Sequence, residues 1–341
     1  MSAGREKLKH LGIELPLLPI TAVGSYGKPK SLERARTQYA RGKISREELT
    51  IQEEEATAMW MGFQNEIGVD VPVDGEMYRG DMVAYFAEEM DGFETGGLVR
   101  AYGNRFYRKP IITSPVRWRG PMTVEWWRFA QSLTEQPVKG MFTGGYTTMD
   151  WSFNEHYPDR KATALALAAE FRKEVEALVD AGCKIIQVDE PAVSVRPDEI
   201  DIAIEAMQIT CEGIDAYFIT HALEYGYPQT VFPDVLNLAV DNFDMEFANS
   251  DFVFLENLKD FGFDKDLSLG VVDSHTHKIE PVEEIEARIR QAVNILPPET
   301  IWPDPDCGLK TRTVEESMAK MRAIAQATKR VREELKTRAG I

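Results

Sequence analysis

The sequence predicts an α/β fold, a (β/α)8 TIM barrel in a single domain. Two observations predict it. Short apolar or β-branched runs alternate with longer helical patterns along the 341 residues, and such alternation implies parallel strands joined by helices. Residues able to do chemistry gather at the C-terminal ends of those runs, the ends that form the active mouth of a barrel.

Eight strands are expected: Leu18–Ser25, Val69–Glu76, Val138–Thr143, Lys184–Glu190, Ala216–Leu223, Asn242–Asn249, Leu267–Ser274 and Thr300–Gly308. Helical periodicity falls between them, most plainly over Asp159–Ala181, Pro281–Leu296 and Thr313–Thr337. A doubly wound open sheet is the competing arrangement, but no glycine-rich dinucleotide fingerprint follows the first strand. The segment Thr95–Glu125, rich in Arg, Gly, Pro and aromatics, is too long for a simple connection. It is expected to form an inserted excursion over one mouth of the barrel. No internal repeat or long linker divides the chain, so residues 1–341 read as one catalytic domain.

Composition narrows the function. With 43% hydrophobic and 28% charged residues, the chain has the make-up of a soluble globular protein. A net charge of -17 argues against a nucleic-acid partner, because phosphate contacts need clustered Lys and Arg. The N-terminal residues lack a signal-type apolar run, and no apolar stretch of about 18 residues suggests a membrane span. A cytoplasmic location is expected. Cys183, Cys211 and Cys307 are far apart and odd in number, which is not a disulfide framework. The first two read as buried thiols; Cys307 sits among prolines, acids and a glycine.

The strand ends carry Gly24-Ser25, Asp74-Gly75-Glu76, Asp189-Glu190-Pro191, His221, Glu246, Asp273-Ser274-His275 and Asp306-Cys307-Gly308. His221, Glu246 and Cys307 offer nitrogen, oxygen and sulfur ligands. Zinc accepts all three, and a catalytic zinc keeps one position open for a substrate such as a thiol. The same trio also reads as a hydrogen-bonded network around a buried thiol. Asp189 and Glu190 suit recognition of an ammonium group or proton transfer, and equally a helix cap; Glu76 invites the same two readings. His275 could act as a general acid positioned by Asp273, or chelate a metal together with His277. Trp151 offers a flat surface for a ring or a cationic donor, or simply packs its loop.

Together these segments resemble the C-terminal catalytic barrel of the cobalamin-independent methionine synthase family. The matching stretches are Thr21-Ala22-Val23-Gly24-Ser25, Asp74-Gly75-Glu76 with Asp81-Met82-Val83, and Gln187-Val188-Asp189-Glu190-Pro191-Ala192. They continue through Asp244-Met245-Glu246, Val272-Asp273-Ser274-His275 and Pro305-Asp306-Cys307-Gly308-Leu309-Lys310-Thr311-Arg312, the last being highly specific. The resemblance implies a zinc-dependent methyltransferase that forms methionine from homocysteine. By it, His221, Glu246 and Cys307 look like zinc ligands, and Gly24, Ser25, Glu76 and Asp189 look like contacts to the amino-acid part of homocysteine. His275 looks like the proton-handling histidine, and Trp151 lies where the methyl donor is contacted.

Two departures stand out. The family's His-x-Cys motif on the fifth strand here reads His221-Ala222-Leu223-Glu224, so one thiolate ligand is replaced by a side chain that cannot bind metal. Either three protein ligands suffice, or a bulge turns Glu224 inward as a fourth. Full-length relatives also carry an N-terminal barrel that helps bind methylfolate, whereas this sequence resembles a core form. The donor expected is therefore methylcobalamin, supplied free or by a corrinoid protein, or methyltetrahydrofolate. Diverged alkyl-transfer, demethylase or thioether-lyase chemistry on another thiol, and a non-catalytic amino-acid-binding barrel, are the alternatives.

Overall fold

The computed structural model describes residues 2–100, 106–223 and 228–339. Its strands are β1 (Met90–Arg100), β2 (Phe106–Trp118), β3 (Gly140–Thr143), β4 (Phe153–Asn154), β5 (Ile185–Asp189), β6 (Tyr217–Leu223), β7 (Asn242–Met245), β8 (Asp266–Val272) and β9 (Ile301–Pro305). The described residues cluster into two compact units, one comprising 1–78, 126–139 and 242–341, the other 79–125 and 140–241. Both are α/β with parallel core strands, as the alternation predicts.

In the first unit, β7, β8 and β9 pair in parallel, in register Asn242↔Asp266 and Leu267↔Ile301. Helices Val282–Val293 and Val314–Ala339 pack on this layer. Their periodic apolar positions, Ile285, Ile289, Ala292, Met321, Ile324 and Val331, are buried against Leu267, Leu269 and Val271. Each such side chain taken from water stabilises the fold by about 1.5–3 kcal/mol. Segments 18–25 and 69–76, expected as full strands, form only isolated bridges, Ser25↔Gly75 between the two and Val73↔Lys139 from the second to the start of the next expected strand. The reason is local. Pro72 has no N–H to give a ladder, and Leu18, Gly75 and Glu76 all adopt positive φ, which an extended strand cannot accommodate. The two segments still run together, since Ile20 O accepts the N–H groups of Asp70 and Val71, each at 3.0 Å.

In the second unit, β3, β5 and β6 form a parallel layer, with Thr143↔Asp189 and Asp189↔His221 in register. The expected helix after Asp159 is present as Arg160–Asp180, and Asp159 caps it by accepting from Ala162 N at 2.7 Å. The excursion begins earlier than expected, at Met90. It is an antiparallel β1–β2 hairpin with irregular register between Asp91 and Phe93 and between Thr95 and Leu98. Buried Glu174 on the long helix anchors the hairpin's exit. Its carboxylate accepts from Trp118 Nε1 (2.8 Å), from the N–H groups of Met122 and Thr123, and from the Thr123 hydroxyl.

Candidate active site

Within the first unit, five strand-end segments are tied to one another. Leu309 N donates to Ser25 O at 2.7 Å, and Gly308 lies so close that a Cβ there would run into Ser25 Oγ. Gly308 is therefore glycine for want of space, and Gly308→Ala should displace the Ser25 hydroxyl. The expected result is a loss of about 1–3 kcal/mol of stability from overpacking, partly relieved by adding Ser25→Ala. Denaturant unfolding of the two variants checks it.

Ser25 bridges to Gly75, and Tyr26 N donates to Gly75 O at 3.2 Å. The next residue, Glu76, has φ 58°, a strained conformation for a residue with a side chain. Two bonds hold it there: Asp74 Oδ1 accepts Glu76 N at 2.8 Å, and Lys28 Nζ donates to Glu76 O at 2.8 Å.

Glu246 follows β7 and is buried; its two oxygens meet His275 Nε2 at 2.9 Å and Asn249 Nδ2 at 2.7 Å. Cys307 follows β9 with a partly exposed thiol. The segment bearing Glu246 is bound to the one bearing Cys307 by Asp306, a role the sequence reading missed. Asp306 Oδ1 accepts from Phe247 N (3.0 Å) and Ala248 N (2.8 Å), and Oδ2 from Asn249 N (2.7 Å). To reach them from β9, the carboxylate crosses β8 at Gly270; a Cβ on Gly270 would strike Asp306 Oδ1. Burial pushes the Asp306 carboxyl up to about 7, opposed by the Ala248 N–H and aided by the nearby Glu246 charge. The signal was present in the Asp-Cys-Gly triplet, but its partner two strands away in sequence was not.

In the second unit, Asp189 and His221 lie side by side at the ends of β5 and β6, both buried. Gln187, two residues back on the same face, donates Nε2 to Asp189 Oδ1 at 2.7 Å. Glu190 does something else. Its carboxylate accepts Tyr146 N (3.1 Å) and Thr147 N (2.6 Å), capping the short helix Gly145–Asp150 that ends at Trp151. Of the two acids, Glu190 thus has the capping role, and Trp151 inherits its place from that cap. Glu224 lies outside the described residues. Among the described residues, no three His, Cys, Asp or Glu side chains stand close enough together to share a metal ion.

Burial also pushes the Glu190 carboxyl from its ordinary 4.5 up to about 7, against the lowering pull of Thr147 and Tyr146. An acid raised in this way favours the folded state fully below its unfolded value and loses that contribution as pH rises through 7. Relative to Glu190→Gln, the wild type is therefore expected to lose about 3 kcal/mol of stability between pH 4.5 and 7.5. Urea unfolding of both proteins at the two pH values measures the difference.

The chain matches known proteins. A family model described as the catalytic domain of cobalamin-independent synthase matches residues 18–330. The chain is 40% identical over 326 residues to a methionine synthase of Saccharolobus solfataricus, covering 95% of this chain and 97% of the relative. It is 38% identical over 328 residues to one of Sulfurisphaera tokodaii, covering 95% and 96%. In structure it resembles a B12-independent methionine synthase from Shewanella sp. W3-18-1 in complex with selenomethionine, with TM-score 0.84 and 26% identity over 94% of this chain and 99% of that one. A family model spanning most of the chain, together with relatives near 40% identity over nearly their whole length, leaves one assignment: the chain belongs to the cobalamin-independent methionine synthase family and is a methyltransferase.

Proposed function

We propose that the chain acts as a single catalytic domain that transfers a methyl group to the thiol of homocysteine, forming methionine, with zinc as the metal and Glu246 and Cys307 of the first unit among its candidate ligands. The observation that carries this reading is the Asp306 bridge, which fastens the Glu246 segment to the strand end bearing Cys307. The residue types are ones zinc accepts, a carboxylate and a partly buried cysteine among them, although among the described residues no three such side chains stand close enough to share an ion. When bound, zinc would hold the substrate thiol as its thiolate near neutral pH.

The chain's own residues supply the rest. Gly24, Ser25, Glu76 and Asp189 are the candidate contacts to the amino-acid part of homocysteine, and the Glu76 backbone is held at positive φ by Asp74 and Lys28. His275 gives its Nε2–H to Glu246, so Nδ1 carries the lone pair that takes the thiol proton, and the Glu246 carboxylate steadies the resulting imidazolium. The sulfur–carbon bond then forms as the methyl carbon leaves its donor, whose leaving atom keeps the electron pair. Trp151 contacts that donor, a methylcorrinoid, free or protein-bound, or methyltetrahydrofolate. The relative whose structure contains selenomethionine holds an analogue of the proposed product.

The test is product formation from homocysteine with methylcobalamin and with methyltetrahydrofolate, alongside elemental zinc analysis, using Cys307→Ser as the control. Absence of both stoichiometric zinc and methionine would overturn the reading. One observation favours a second acceptor: Leu223, buried at the end of β6, stands where the family's second thiolate is expected. A screen across thiols showing turnover of a non-amino-acid thiol, and none of homocysteine, would select that alternative.

A further inference from the structure

A fully buried ion pair lies beneath the candidate site in the first unit. Lys320, on helix Val314–Ala339, donates Nζ to Glu280 Oε2 at 2.9 Å, and the side chains are 0% and 2% exposed. Lys320 also donates to Lys278 O. Burying such a pair is expensive, and two apolar side chains in its place would hold the fold at least as well. The other Glu280 oxygen shows what the pair holds in place. Glu280 Oε1 accepts Asp273 N at 2.9 Å; Asp273 Oδ1 accepts His275 N at 2.7 Å; and His275 Nε2 meets Glu246 Oε1 at 2.9 Å. A continuous chain of bonds thus runs from a helix remote in sequence to the histidine ring.

We infer that Glu280, clamped by Lys320, is a positioning residue: it fixes the Asp273–His275 turn and so the His275 imidazole against Glu246. The inference rests on the role proposed for His275. Glu280 acts through the Asp273 amide.

Two double variants isolate that contact. Glu280→Gln/Lys320→Met and Glu280→Ala/Lys320→Met both lack the ion pair and leave no unpaired buried charge, so both should fold. They differ in whether an oxygen remains for the Asp273 N–H. With the donor that the wild type uses, the Gln variant should keep kcat within about threefold, and the Ala variant should lose about 30-fold, with KM for homocysteine little changed. Amide exchange at Asp273 and His275 should quicken at least about tenfold in the Ala variant only, since a protected N–H has lost its acceptor. Equal kcat and equal exchange in the two variants would overturn the inference. His275→Ala separates the two readings: if it retains full activity while exchange follows the pattern above, the role of His275 fails and the positioning contact stands.

Discussion

Replacing Cys307 by alanine should abolish methyl transfer and leave the fold intact. The expected fall in kcat/KM is roughly 10³-fold, about 4 kcal/mol of transition-state stabilisation, the scale on which a lost metal ligand acts. Little of this should appear as instability, because the Cys307 side chain is partly exposed and its strand end is held by the neighbouring Asp306 carboxylate rather than by the thiol. Zinc content should drop with activity. A chemical readout separates Cys307 from the other cysteines. Cys183 and Cys211 are buried, and burial pushes the Cys183 thiol up to about 12, so neither should react with iodoacetamide in the folded protein. One alkyl group per chain, placed on Cys307 and blocked by prior zinc loading, is the expected labelling pattern. Labelling unaffected by zinc, or a Cys307→Ala protein that still makes methionine at the wild-type rate, would remove Cys307 from the ligand set.

Much of this site could be read from sequence because its residues sit at predictable places. Period and composition locate the parallel strands, and a strand's last residue faces the same way whatever follows. Asp189 and His221, in register on neighbouring strands, were thus both legible from their own segments. What the sequence did not disclose are contacts that skip a strand or a loop. Glu190 looks like a partner for Asp189 until one sees that the Tyr146 and Thr147 amides use both its oxygens. Segments 18–25 and 69–76 carry strand-like composition, yet Pro72 and the positive φ of Gly75 and Glu76 leave only isolated bridges. Lys320 looks like a surface charge on an amphipathic helix and Glu280 like one in a loop, and only the packing of the two together buries them. For Glu190, Glu280 and Lys320 the deciding partner is distant in the chain, and local pattern carries no record of it.

Asp306 is the extreme instance, and its removal should do the most damage to fold and site together. Asp306→Ala leaves the N–H groups of Phe247, Ala248 and Asn249 without their acceptor and opens a void beside Gly270. Each buried donor left unsatisfied costs about 1–3 kcal/mol, so a loss of about 4 kcal/mol is expected. Asp306→Asn tests the geometry more finely. The amide oxygen can face Phe247 and Ala248, but the NH2 group then opposes the Asn249 N–H, at a cost of about 2 kcal/mol. Because Asn249 also donates to Glu246 Oε2, the disturbance should reach that carboxylate and lower activity beyond what the stability loss explains. Denaturant unfolding and kcat, measured on both variants well below their unfolding midpoints, resolve the two effects. A merely structural Asp306 would lower the unfolding midpoint and leave kcat of the folded fraction unchanged; a bridge that sets the Glu246 carboxylate against its partners lowers both, more in Ala than in Asn.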